Sequence, residues 1–235
     1  MQEFWNIFRD AFWLVISGDR DLWEVVALSL KVSLAAILLS SVVALPIGAA
    51  LAVLRFRGRK LVIVLINALM GLPPVFVGLL VYLALSRSGP LGALELLYTP
   101  TAMIIAQALL VTPIIVALTR QLLENLESEY SEQLRSFGMS RLEAIPTLLW
   151  DGRVGLVTAI LAGFGRAIAE VGAVLIVGGN INHVTRVMTT TIALETSRGN
   201  LELALSLGLV LIFIAVCVNA AVSAIGNWSE GKANG

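Results

Sequence analysis

Long apolar runs separated by short polar stretches set the pattern of this chain. The apolar runs cover about residues 23–54, 61–85, 101–118, 154–177 and 203–226. Each matches or exceeds the roughly 18 residues that carry a helix across a hydrocarbon core of about 30 Å. Lipid offers no partner to backbone amides and carbonyls, so runs of this length predict helices. The pattern therefore predicts five transmembrane helices. Pro46 and Gly48 lie in the first run, Leu72-Pro73-Pro74 breaks the second, and Pro113 lies in the third. Such residues are tolerated in membrane helices where neighbours satisfy the freed backbone groups. Residues 86–100, with Gly89-Pro90 and Tyr98, read as a loop. So do residues 178–200, with Gly178-Gly179-Asn180 and a threonine-rich stretch.

Ahead of the first span, residues 2–17 alternate with a helical period. Trp5, Phe8, Phe12 and Ile16 fall on one face, and Gln2, Asn6, Arg9, Asp10 and Ser17 on the other. The run is too polar to span, which predicts an amphipathic helix lying in the membrane interface. An extension of the first span packed against the bundle is the other reading. No positive n-region precedes Phe12-Trp13-Leu14-Val15-Ile16 and no small-residue cleavage site follows, so the first span is expected to do the targeting itself.

Composition agrees with the apolar pattern. Of 235 residues, 58% are hydrophobic and only 14% charged, against about 25% charged in soluble domains. The fold class is all-α: a polytopic helical membrane protein with about five spans, an N-terminal interfacial helix and one polar cytoplasmic segment. No internal repeat or low-complexity segment divides it, so residues 1–235 form one membrane domain. The formal net charge is zero, and no basic face or RNA-binding pattern points to nucleic acid. Cys217 is alone, which excludes a disulfide framework or a thiolate metal site within one chain. A single histidine, His183, excludes a histidine-rich metal site, and no metal is expected. His183 reads as a solvated loop residue, Lys31 as a snorkelling side chain near the outer edge, and the tryptophans as interface anchors.

Cations set the orientation. With Arg55, Arg57, Arg59 and Lys60 inside, Arg120, Arg135, Arg141, Arg153 and Lys232 are inside too. Arg9, Arg20, Arg87, Arg186 and Arg198 are then outside. The excess puts the N-terminus outside and the C-terminus in the cytoplasm.

Residues 120–153 are a charged island in this apolar chain. Charges are costly in the bilayer core, so the island needs water or a soluble partner. The island reads as two short helices with a break. Leu134, Phe137, Leu142 and Ile145 project to one side at helical spacing. Gly138 suits the left-handed position that ends a helix, and Ser140-Arg141-Leu142-Glu143 matches a capping box. A helix–turn–helix with an apolar stripe and charged rim suits a groove on a partner. An amphipathic hairpin resting on the inner membrane surface fits equally well.

The spacing of Glu132 and Gly138 resembles the cytoplasmic coupling loop of bacterial ABC importer permeases. That pattern runs Glu-Ala-Ala, three residues, Gly, nine residues, Ile, one residue, Leu-Pro. Here Gln133 and Leu134 replace the alanines, Leu148 stands for the isoleucine, and Trp150-Asp151 occupies the Leu-Pro position. Phe164-Gly165-Arg166, Glu170 and Gly172 are similar to a Phe-x-Arg-x-x-x-Glu-x-Gly pattern in molybdate and sulfate permeases. The stretch Glu170–Asn180, with Arg186–Thr196, Leu28–Ser33 and Gly71–Val75, is most similar to tungstate-transporter permeases.

That resemblance implies the permease subunit of an ATP-driven tungstate importer in a bacterial or archaeal plasma (inner) membrane. Molybdate or sulfate are the alternative cargoes. It implies a homodimer, two copies of a cytoplasmic ATP-binding subunit, and an extracytoplasmic substrate-binding protein that delivers the oxyanion. ATP and Mg would be bound by the ATP-binding subunit. This chain has no Gly-x-x-x-x-Gly-Lys-Ser/Thr motif, and neither catalysis nor a cofactor of its own is expected. Glu132, Leu134, Arg135, Phe137, Gly138, Met139, Ser140 and Arg141 would meet the ATP-binding subunit.

Candidates for the anion path come from the residues themselves. Arg166 and Glu170 are four apart in the fourth span, hence on one helical face. They read either as a functional pair or as an ion pair locking helices together. Thr189, Thr190 and Thr191 offer hydroxyl donors, either to a tetrahedral oxyanion or to backbone. Pro73 and Pro74 interrupt a span, as discontinuities lining a cavity do, or simply kink it. An ion-coupled secondary transporter or a membrane scaffold are the rivals from other classes. The first usually shows an internal repeat.

Overall fold

The computed structural model describes residues 2–136 and 138–233, with side chains described from Trp5 to Ala224 apart from that of Arg135. Phe137 lies outside the described residues. Among them there is no strand. The helices are α1 (Gln2–Ile16), α2 (Arg20–Val53), α3 (Arg59–Met70), α4 (Pro74–Leu85), α5 (Pro100–Ser136), α6 (Arg141–Asp151), α7 (Arg153–Ile168), α8 (Gly172–Gly178), α9 (Met188–Arg198) and α10 (Leu201–Ala233), with a 3-10 turn at Gly92–Leu94.

Three of these helices, α2, α5 and α10, are long and apolar enough to cross a membrane. The pairs α3 with α4 and α6 with α7 meet the same test jointly, each with a break between its members, which gives up to five spans. The sequence reading is corrected at three places. First, α5 does not stop near Leu118 but runs on to Ser136. At 1.5 Å per residue its 37 residues reach about 55 Å, well beyond a core of about 30 Å. Residues Gln121-Leu122-Leu123-Glu124, at the start of the charged island, are strong helix formers, and Arg120 pairs with Glu124 one turn on. Second, the fourth run is not one helix. It stops at Ile168 and restarts at Gly172. Third, residues 188–198 are helical rather than loop.

The chain folds as two compact units. The first comprises Met1–Ala36, Pro73–Gln107 and Ala167–Val218. In it α4 and α8 meet with almost no gap, because Gly78 faces Ala173. A Cβ on Gly78 would sit 2.7 Å from the Ala173 Cα. Ser29 stitches α2 to α9: its hydroxyl donates to the Val25 carbonyl at 2.7 Å and accepts the Met188 N–H at 2.8 Å. Helix α1 packs through fully buried Ala11, whose carbonyl accepts the Ser206 hydroxyl at 3.1 Å. Trp5, Phe12, Trp13 and Ile16 stay exposed on it, the apolar face that an interfacial helix gives to lipid.

The second unit comprises Ile37–Leu72, Ala108–Arg166 and Asn219–Gly235. Its core at one end gathers Ala49, Ala52 and Val53 of α2, Leu123 of α5, and Ala144 and Leu148 of α6. Leu126, Tyr130, Leu134, Ile145 and Leu149 pack around that core. Leu123 and Leu148 are fully buried, worth about 2 kcal/mol of transfer free energy each.

Candidate functional site

The turn between α5 and α6 is built by local chemistry. Helix α5 ends in a Schellman-type closure: the Met139 N–H donates to the Leu134 carbonyl at 3.1 Å, and Gly138 takes φ +70°. Two residues later Ser140 opens α6. Its hydroxyl accepts the Glu143 N–H at 3.4 Å, and its own N–H donates to Glu143 Oε2 at 2.7 Å. The capping box expected from sequence is present. The Ser140 side chain, and then its backbone N–H, hydrogen-bond to the Glu143 carboxylate and hold that carboxyl below its usual range. At the other end the Arg153 guanidinium lies 4.9 Å from the Trp150 ring and donates to the Trp150 carbonyl at 2.7 Å, closing α6. Helix α7 then leaves at 72° to α6.

The apolar stripe across this turn is partly corrected. Leu134 and Ile145 do pack on the core, but Leu142 is 64% exposed. Ala144 and Leu148 carry α6 inward instead. The left-handed turn at Gly138 resets the helical phase, so a period counted through it misplaces Leu142. Leu142 and Trp150, eight residues apart on α6, are both exposed large apolar residues. Glu132, Gly138, Ser140 and Arg141 are exposed, and Met139 is half-buried. The expectations for Phe137 and the Arg135 side chain lie outside the described residues.

Above the turn, α5 is tied by charge to the segment joining α2 and α3. Arg59 pairs with Glu124, Arg120 pairs with the same carboxylate, and Arg55 lies 3.4 Å from Glu127. Sequence reasoning used these arginines only to orient the chain.

The candidate path residues fall around the start of α8 and of α9. Glu170 is buried in the break before α8, where its Oε1 accepts the Ala173 N–H at 3.2 Å. Arg166 lies in α7, before that break. The one continuous helix expected through both residues is corrected: α7 ends at Ile168, two residues before Glu170. Thr189, Thr190 and Thr191 are buried in the first turn of α9. Thr189 donates to the Glu170 carbonyl at 2.8 Å, Thr190 to Asn180 Oδ1 at 2.9 Å, and Thr191 to the Val187 carbonyl at 2.7 Å. All three hydroxyl protons are committed inside the protein. Pro74 is the first residue of α4, and the Pro73 carbonyl accepts the Phe76 N–H at 3.0 Å. Pro73 is exposed and Pro74 half-buried.

The first unit also holds a cleft of about 600 Å³. It is lined by Asp19, Asp21, Glu24, Lys31, Arg186 and Glu202 among others. His183 Nδ1 lies 3.0 Å from Glu24 Oε2 at its rim. Asp21, Glu24 and His183 bring ligand atoms within 4.8 Å of one another, all on exposed side chains. Sequence offered no sign of this grouping, since 159 residues separate His183 from Glu24.

The described residues are all-helical, with three to five candidate membrane spans and a capped turn between α5 and α6. Residues 44–233 match the family model described as binding-protein-dependent transport system inner membrane component, and the chain belongs to that family. It is 43% identical over 215 residues to a tungstate uptake system permease protein from Peptoclostridium acidaminophilum, covering 92% of this chain and 94% of that one. A second tungstate uptake system permease protein, from Campylobacter jejuni, is 35% identical over 90% of this chain and 89% of its own length. The molybdenum transport permease of Escherichia coli is 28% identical over 70% of this chain and 75% of its own. Among solved structures, an inward-facing form of the MetNI methionine ABC transporter superposes with a TM-score of 0.70 at 16% identity, covering 91% of this chain and 94% of that one. That likeness carries the fold.

Proposed function

We propose that this chain is the membrane permease subunit of an ATP-driven tungstate importer. The 43% identity to a tungstate uptake permease over nearly the whole of both chains carries the reading. The molybdenum and sulfate permeases among its relatives are 25–29% identical, which favours tungstate over those cargoes. Residues 1–235 act as one permease domain, with residues 120–153 as its cytoplasmic coupling loop. The exposed elbow of Glu132, Gly138, Ser140 and Arg141, with Leu134 and Met139 behind it, meets a cytoplasmic ATP-binding subunit, and the family pattern adds Arg135 and Phe137 to that contact. Two copies of that subunit bind and hydrolyse ATP with Mg. An extracytoplasmic binding protein delivers the anion.

The chain works as a homodimer in the plasma membrane. Helix α3 supports that reading: it buries none of its residues, yet exposes Leu61, Val64, Leu65 and Leu69. The path runs beside Pro73 and Pro74. Thr189, Thr190 and Thr191 shape it as fixed structure, because their hydroxyls are already donated. Arg166 and Glu170 act structurally around the break before α8. The N-terminus is outside and the C-terminus inside. Two groupings support that alternation. The cleft joins the N-terminal segment to residues 182–186, both expected outside, and ion pairs join Arg55 and Arg59 to α5 beyond its apolar stretch, both expected inside.

Reconstitution tests this. The chain in liposomes with its ATP-binding subunit and binding protein is expected to accumulate tungstate only when ATP and both partners are present. Accumulation without ATP or without the ATP-binding subunit would instead identify an ion-coupled secondary transporter.

A further inference from the structure

The cations at the junction of α2 and α3 do more than orient the chain. Arg59 is the first residue of α3, and its side chain is only 14% exposed. Its Nε donates to the Leu51 carbonyl in the last turn of α2 at 2.7 Å. Its Nη2 pairs with Glu124 Oε1. The other oxygen of that carboxylate, Oε2, takes Arg120 Nη1. One carboxylate on the extended part of α5 is thus held by two arginines, and one of them also grips the end of α2. Arg55 and Glu127 add a weaker pair 3.4 Å apart beside it.

The neighbour of Glu124 in the chain is Leu123, fully buried in the core that receives Ala144 and Leu148 from α6. A continuous line of contacts therefore runs from α6 through Leu123 and Glu124 to Arg59 and the start of α3. Apolar packing of α3 is shallow: none of its residues is fully buried, and Val62, Ile63 and Ile66 are half-buried. Coupling between sites is carried by packed side chains and ion-pair networks of this kind.

We propose that Arg59 is a positioning residue for coupling: with Glu124 it clamps the α2–α3 junction to α5, so that a displacement of α6 reaches α3. This rests on the functional reading above. Lysine cannot replace Arg59 fully, because a single ammonium is a point charge where the guanidinium fork serves Leu51 and Glu124 at once.

The test uses the complete complex in liposomes, with tungstate uptake read by mass spectrometry and ATP hydrolysis by phosphate release. Tungstate imported per ATP is expected to fall about tenfold in Arg59→Ala, within the usual range for coupling between sites. Arg59→Lys is expected to fall less, and Glu124→Gln to resemble Arg59→Ala. The double variant should be no worse than Glu124→Gln, because that change already breaks the link to Arg59 along with the one to Arg120. A wild-type ratio in both Arg59→Ala and Glu124→Gln would overturn the clamp, as would losses that multiply in the double variant. Should Arg59→Ala fail to copurify with the ATP-binding subunit, the near-isosteric Glu124→Gln decides alone, and an unchanged ratio in it overturns the proposal. A wild-type complex that hydrolyses ATP but imports no tungstate would refute the cargo, and the same ratios would then be read with molybdate or sulfate in the same vesicles.

Discussion

Gly138 is where backbone geometry and coupling meet, and the structure separates the two ways a substitution there can act. Its φ is +70°, and a Cβ built on it would meet nothing within 4 Å. Replacement therefore causes no clash within the chain. The cost is conformational: an L residue in the left-handed region loses about 1–2 kcal/mol, a factor of about 5–30 in the population of the native turn. Asparagine enters that region more readily than alanine, and valine, being β-branched, resists it most. A chain that leaves the left-handed region loses the Met139-to-Leu134 bond and redirects α6. The order expected for tungstate imported per ATP in the reconstituted complex is then glycine, asparagine, alanine, valine, with valine lowest. The same order is expected for copurification with the ATP-binding subunit. Equal activity of Gly138→Val and wild type would refute the argument that this turn sets the position of α6. Equal damage from asparagine and valine would show that side-chain volume against the partner matters, not backbone strain.

Other consequences follow from packing and titration. Leu148→Ala empties a fully buried position in the core beneath α6 and should cost about 2–5 kcal/mol locally, seen as faster amide exchange across residues 141–151. The depressed Glu143 carboxyl contributes to α6 while ionised. Its contribution is present above the ordinary glutamate range and is lost as pH falls through the depressed value. Exchange across α6 should therefore rise on acidification in wild type, and Glu143→Gln should flatten that dependence. Gly78→Ala drives a Cβ to within 2.7 Å of the Ala173 Cα. Because backbone must move to relieve it, a loss of about 1–3 kcal/mol is expected as a lower melting temperature in detergent. A Gly78→Ala protein as stable as wild type would show that α4 and α8 can separate freely.

What could be read from sequence was what chemistry writes locally. The capping box needs only Ser140 and Glu143 three residues apart, and the turn glycine stands just ahead of them. The apolar runs likewise declare themselves by length. Errors arose where a local pattern was carried through a break or where partners were distant. Leu142 was placed by extending a helical count across a left-handed residue. The fourth apolar run reads as one helix, yet it is interrupted between Ile168 and Gly172. The third apolar run ends near Leu118 where charge begins, yet the helix continues through Arg120 and Glu124, which stand at helical pairing distance. The threonine hydroxyls could not be assigned at all, because Thr189 is satisfied by the Glu170 carbonyl and Thr190 by Asn180. The Arg59–Glu124 link joins positions 65 apart, and nothing in the sequence alone pairs them.

The central claim is that this chain carries tungstate inward. It is tested most directly by measuring cellular tungsten and molybdenum by mass spectrometry, with and without the gene, at low external anion, each alone and in competition. The account predicts that tungsten accumulation collapses without the gene, that molybdenum is unchanged, and that the restored gene recovers tungsten. Unchanged tungsten, or loss of molybdenum in its place, would contradict it.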